Sequence, residues 1–128
     1  MAKLYKKTDR ITYAIGDIKV KVSPMTLHTK LELTKLMRNA EDGSLDSIMN
    51  ASIYALKSCI KGLSGVENQD GSPYELQFDD NGSLTDDCVE ELLNLEESSL
   101  MIGLCSSLLA GIKTDLPNGI SLVEPGKL

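Results

Sequence analysis

Ile11-Thr12-Tyr13-Ala14-Ile15-Gly16-Asp17-Ile18-Lys19-Val20-Lys21-Val22 is the stretch that decides the fold class. Its apolar residues fall on every second position, the spacing of strands with one buried face. Ile11, Tyr13 and Ile15 alternate with Thr12 and Ala14, and Ile18, Val20 and Val22 alternate with Lys19 and Lys21. Gly16-Asp17 stands between the two runs, and glycine at the first place of a two-residue loop suits a type II′ turn. Residues 10–22 are therefore expected to form a β-hairpin with one apolar and one basic face. Leu4-Tyr5-Lys6-Lys7 would add a short edge strand, where lysines discourage stray pairing.

Beyond the hairpin the period lengthens. Ser23-Pro24 opens a helix over 25–40, since proline is tolerated in a first turn. His28, Glu32, Lys35 and Asn39 make its polar face. Leu33, Leu36, Met37 and Ala40 make its core stripe, with Leu27 and Leu31 on a neighbouring flank. Asp42-Gly43-Ser44 breaks this helix and caps the next, expected at 45–61. There Leu45, Met49, Ser52, Leu56, Cys59 and Leu63 recur at helical spacing, and Gly62 reads as the residue just past the end.

Residues 64–73 are turn formers. Tyr74, Leu76 and Phe78 alternate with Glu75 and Gln77 and are expected to form one more strand, followed by a turn at 79–82. Thr85 is a suitable N-cap for a helix over 85–95, with Asp86 and Asp87 set against the positive end of its dipole. Cys88, Val89, Leu92 and Leu93 face inward, and Asp86, Asp87, Glu90, Glu91 and Asn94 face outward. A last helix, 97–112, is apolar nearly all round, so it is expected to be buried or in an interface. Ser99, Gly103, Ser107 and Gly111 form a small-residue seam along it, open to internal packing or to a second copy of the chain. The expected class is α+β and mostly helical: the hairpin at about 10–22, one further short strand and about four helices. One domain spans 1–112, and 113–128 reads as a flexible tail.

Charge is divided unevenly. Residues 1–38 carry nine of the thirteen Lys/Arg and three of the nineteen Asp/Glu, a local +6 within a chain of net −6. The remainder carries −12, and no Lys or Arg occurs from Gly62 to Ile112. A surface this dipolar chooses partners by electrostatics. The acidic balance argues against wrapping nucleic acid. The basic hairpin also lacks the interleaved aromatics of a stacking platform, so no nucleic-acid partner is expected.

Catalytic chemistry finds no support. The single His28 lies on a polar helix face, whereas Cys59, Cys88 and Cys105 fall on apolar stripes, where cysteine behaves as a small hydrophobe. No zinc spacing is present. Asp79-Asp80-Asn81-Gly82 hints at calcium, but Gln77 stands where a calcium loop needs Asp. No phosphate-binding glycine motif occurs. No catalytic residue, metal site or cofactor is expected. Asp86, Asp87, Glu90 and Glu91 read as a solvated helix face that could serve for docking. Three unpaired-looking cysteines and the absence of a secretory pattern suggest a reduced, cytoplasmic protein. The apolar run Leu100–Ile112 is too short to span a membrane, which takes about 20 residues.

The arrangement resembles the tail assembly chaperones of long-tailed, lambda-type bacteriophages. The features that carry the resemblance are the hairpin Ile11–Val22 leading through Ser23-Pro24-Met25 into a helix, the second helix rich in Ala and Ile, and Leu84-Thr85-Asp86-Asp87-Cys88-Val89-Glu90-Glu91-Leu92 after a short strand. The likeness covers about residues 10–110. The chain also ends Pro125-Gly126-Lys127-Leu128, and the family is similar in ending near a programmed frameshift that yields a longer fused product. Gly126 and Lys127 are the residues a slippery codon pair would encode. The resemblance implies a non-enzymatic function: binding and solubilising the tape measure protein, recruiting the major tail protein, acting in the host cytoplasm and leaving before the virion matures. Under it, Asp86, Asp87, Glu90, Glu91, Leu100, Gly103, Leu104 and Ser107 are the candidate partner-binding residues. A structural or head–tail joining protein that stays in the virion is the alternative, and a small nucleic-acid-binding regulator is another.

Overall fold

The structure is a computed structural model and describes residues 4–6, 8–39, 41, 43–110 and 116–123. Strands β1 (Ile11–Ile15) and β2 (Ile18–Val22) form the expected hairpin. Gly16 at its turn has φ of +60° and Asp17 stays at negative φ, the pattern of a type II′ turn. Two helices follow, α1 (Leu27–Asn39) and α2 (Leu45–Cys59). Then come β3 (Ile60–Ser64), α3 (Asp86–Leu93), α4 (Ser98–Leu109) and β4 (Ile120–Leu122). The α+β class and the four helices are as expected. The sheet, however, is four-stranded and antiparallel, ordered β3-β2-β1-β4.

Alternation in the hairpin becomes the two sides of this sheet. Ile11, Tyr13, Ile15, Ile18, Val20 and Val22 are buried, while Lys19 and Lys21 are exposed. The buried side chains join Leu33, Leu56, Leu84, Val89, Leu92, Met101 and Leu104 in one cluster. Full burial of each large apolar side chain contributes roughly 1.5–3 kcal/mol. The cluster holds no buried polar or charged residue among those described.

Both extra strands replace something else. The second helix stops at Cys59, two residues short of the expectation, because Ile60–Ser64 pairs with β2. A bulge there sets Val22 opposite Ile60 and Lys21 opposite Gly62, with Lys61 as the extra residue. The bulge leaves both Ile60 and Leu63 on the side of the sheet that packs on the helices, so a strand reproduces the three-residue spacing of a helix. Gly62 is thus a strand residue, not a helix stop.

The strand expected at 74–78 does not form. Tyr74 N–H donates to the Val66 carbonyl at 2.9 Å, and the Gln77 carbonyl accepts from Thr85 N–H at 3.0 Å. The segment pairs with its own loop, leaving only the isolated bridges Glu67–Pro73 and Phe78–Leu84.

The tail reading is corrected as well. Ile120–Leu122 pairs with β1, and Ile120 is buried. Gly119, with φ of +96°, turns the chain into this strand. The rest of the expected tail, 113–115 and 124–128, lies outside the described residues. Leu4, Tyr5 and Lys6 do not form the expected edge strand. No helix among the described residues is long and apolar enough to cross a membrane.

Candidate interaction surface

The helical layer is built around α2. Its N-cap Ser44 accepts from Ser47 N–H at 3.3 Å, and α1, α3 and α4 all pack against it. Ala51, Ala55, Leu56 and Cys59 are its buried face. Among the described residues, α1 has Leu33 as its only fully buried side chain. A helix held mainly by one neighbour cannot bury a wide apolar arc, and α1 has one. Leu27 is 72% exposed, Leu31 61% and Met37 45%. The first turns of α2 continue the patch through Leu45, Ile48 and Met49, all exposed. Met37 was expected in the core stripe and is corrected to a surface position; Leu45 and Met49, which share the helical spacing of the buried Leu56 and Cys59, are exposed as well.

Between α1, α2 and α4 runs an apolar groove of about 230 Å³, lined by Leu33, Met37, Ile48, Ala51, Ala55 and Ile102 among others. Its α4 side carries no charged residue from Ser98 to Leu109. Pockets for small molecules run to roughly 300–1,000 Å³, so this groove better fits side chains of a partner.

The residues marked from sequence are scattered. Asp86, Asp87, Glu90 and Glu91 lie exposed on α3, as expected. Thr85 Oγ1 accepts from Cys88 N–H at 3.2 Å, and Asp86 Oδ1 receives a 2.6 Å ion pair from Lys57 Nζ. On α4, Leu104 is buried in the core and so is not a surface residue. Leu100 is half-buried and lies 3.3 Å from where a Cβ on Gly119 would stand. Gly103 and Ser107 are half-buried, and a Cβ added at Gly103 would meet nothing within 4 Å. The small-residue seam therefore makes no close helix contact at Gly103 within the chain. Gly111, Gly126 and Lys127 lie outside the described residues. The acidic face is on α3 and the seam on α4, each packing on α2.

No protein-family model, curated protein or solved structure matches the chain.

Two basic hollows lie elsewhere. Lys19, Lys21 and Lys61 with Thr12 line one of about 470 Å³ on the open side of the sheet. Another, of about 450 Å³, includes Arg10, His28, Tyr54 and Lys61. Lys61 Nζ donates to the Gly82 carbonyl at 2.6 Å. Burial first, then the nearby Arg10 charge, hold the Lys61 pKa below its ordinary value. The Asp79 carboxylate accepts from Asn81 N–H at 2.9 Å and Ser83 N–H at 3.0 Å, so it is engaged in closing its own turn. Among the described residues no group of three or more His, Cys, Asp or Glu is placed to hold a metal ion.

His28 is exposed at the start of α1, and all three cysteines are buried and free. The hydrogen bond between Cys59 and Cys105, with burial adding, pushes the Cys105 thiol well above its usual pKa, and the same bond draws the Cys59 thiol below its own. Cys88 Sγ lies 3.3 Å from the Tyr74 hydroxyl, in a hydrogen bond.

The sequence reading missed the groove. Its signal was the breadth of apolar positions on α1, where Leu27 and Leu31 lie outside the arc that one neighbouring helix can cover.

Proposed function

We propose that this chain is a non-enzymatic tail assembly chaperone that binds and solubilises the tape measure protein of a long-tailed phage. The observation that carries the reading is the uncovered apolar face of α1 and the start of α2. Six large side chains on these two helices, Leu27, Leu31, Met37, Leu45, Ile48 and Met49, stay exposed, and Met37 and Ile48 line an apolar groove. Apolar patches rimmed by polar residues are typical of protein-binding surfaces. A tape measure protein is a long helical chain, and a helix laid into an apolar groove is a common mode of recognition. The phage assignment rests on the likeness of the hairpin, the second helix and the Leu84–Leu92 segment. On this reading the protein acts in the host cytoplasm, helps recruit the major tail protein and leaves before the virion is complete.

Co-expression with the tape measure protein that this reading expects to be encoded alongside it is the test. The chaperone reading expects the tape measure protein to move into the soluble fraction, and purified particles to lack this chain. A stoichiometric copy number in finished particles would replace it with the structural or joining-protein reading. The basic open side of the sheet, with Lys19, Lys21 and Lys61, favours a second reading as a nucleic-acid-binding regulator. That reading expects affinity for DNA that falls steeply with salt. No retention on DNA at low salt disposes of it.

A further inference from the structure

The groove between α1, α2 and α4 has two unlike walls. On α1, Lys30 stands three residues before Leu33 and seven before Met37, so at 3.6 residues per turn it rims the same side of the helix. Leu27, Leu31 and Arg38 form the next row outward, and Lys30 and Arg38 are both exposed. Glu32 falls on the opposite, half-buried side of α1. The α1 wall is therefore apolar with a basic rim. The α4 wall is uncharged, and beside Ile102 it presents Ser106, Ser99 and Gly103. A Cβ at Gly103 would meet open space, so another backbone has room to come close there.

We infer that this groove takes an amphipathic helix from a partner protein, with its apolar stripe in the groove and an acidic flank toward Lys30 and Arg38. The occupant follows from charge and size together. The volume, about 230 Å³, suits one or two apolar side chains. The basic rim selects acidic flanking residues, and the small-residue wall admits a helix on its other side. A second copy of this chain has no acidic amphipathic helix to spare for the groove. Its acidic amphipathic helix, α3, already buries Cys88, Val89 and Leu92 in its own core. The inference rests on the chaperone reading for the client's identity and names the surface that would hold it.

The probe is a labelled synthetic helix of about 20 residues with leucines at i, i+4, i+7 and i+11, a groove-binding spacing, flanked by glutamates. A second peptide replaces every glutamate by lysine. Fluorescence anisotropy should show the acidic peptide binding the full chain and the basic one binding far more weakly. Ile48→Asp, at an exposed position whose folding circular dichroism verifies, should weaken the acidic peptide by about tenfold or more, as loss of a central anchor does. Lys30→Glu with Arg38→Glu should reverse the preference between the peptides.

Binding of neither peptide, equal binding of both, or indifference to Ile48→Asp and Leu45→Asp would overturn the inference. So would a dimer of this chain that Ile48→Asp dissolves and the peptide does not disturb. Co-expression separates the two readings. If wild type and Ile48→Asp both solubilise the tape measure protein, the groove is wrong and the chaperone reading stands. If wild type does not, the chaperone reading fails whatever the peptides do.

Discussion

Gly65 lies so close to Asp17 that a Cβ at position 65 would stand 2.3 Å from the Asp17 carbonyl oxygen. The contact joins the end of β3 to the hairpin turn, backbone against backbone. Gly65 also has φ of +85°, where an L-residue is strained. Neither atom can swing away as a side-chain tip would. Gly65→Ala is expected to cost about 2–4 kcal/mol, combining left-handed strain with overpacking. Gly71 supplies the control, because it too has positive φ, +91°, but nothing lies within 4 Å of its added Cβ. Gly71→Ala should cost only about 1–2 kcal/mol. Urea unfolding midpoints of the two variants check the difference, and equal losses would remove the steric argument.

At the start of α3 a hydroxyl should matter more than a charge. Lys57 and Asp86 form a 2.6 Å ion pair, but the Asp86 side chain is 80% exposed. Exposed pairs contribute about 0.2–1 kcal/mol and lose part of that to salt. Thr85 instead satisfies the Cys88 N–H at the first turn. Thr85→Ala should cost about 1 kcal/mol, and Asp86→Asn about half that or less. Thermal unfolding in low and high salt checks the order. Only the Asp86→Asn effect should shrink with added salt.

Tyr13 makes the fold sensitive to alkali. It is fully buried in the sheet, and burial first, with Tyr5 adding, pushes its pKa from the ordinary 10.0 up to about 12. The folded state therefore holds this proton more tightly than the unfolded chain. The resulting stability is fully present below pH 10 and is lost as pH rises toward 12. A shift of that size is worth on the order of 2 kcal/mol. Tyr74 is shifted the same way and adds to the slope. Tyr13→Phe isolates the Tyr13 share. Its stability should fall less between pH 10 and 12 than that of the parent, and parallel curves from urea titrations would contradict the assignment.

The hairpin was legible from sequence because a period of two, broken by Gly16-Asp17, has one structural meaning. The Thr85 cap was legible because its signal is local. The strand β3 was not, since the bulge at Lys61 gives Ile60 and Leu63 a helix-like spacing. Nor was β4, whose three residues draw their order from pairing with Tyr13, Ala14 and Ile15, far away in sequence. The segment 74–78 shows the reverse failure: it alternates like a strand, yet its backbone groups meet partners in the neighbouring loop. For the surface, the acidic face of α3 was readable because it lies on a helix with one clear polar side. The groove was hidden because Met37 obeys the core spacing of its helix, and Leu45 and Met49 share the spacing of Leu56 and Cys59. Met37, Leu45 and Met49 stay outside because α1 is held mainly by α2 among the described helices.

Gly103 separates two roles for the seam on α4. If the seam served packing inside the chain, any side chain there would clash and destabilise. The space around Gly103 is open, so Gly103→Ala should instead stabilise by roughly 0.5–1 kcal/mol, the helix-interior advantage of Ala over Gly. A bulkier side chain should also leave the fold intact while obstructing a helix laid against this wall. Gly103→Leu is therefore expected to keep its urea midpoint near or above the parent value and yet weaken the glutamate-flanked peptide. Loss of stability in Gly103→Ala would mean that the seam is buried against the chain itself. Unimpaired peptide binding by Gly103→Leu would move the partner helix away from α4, toward the Leu27 and Leu31 side of α1.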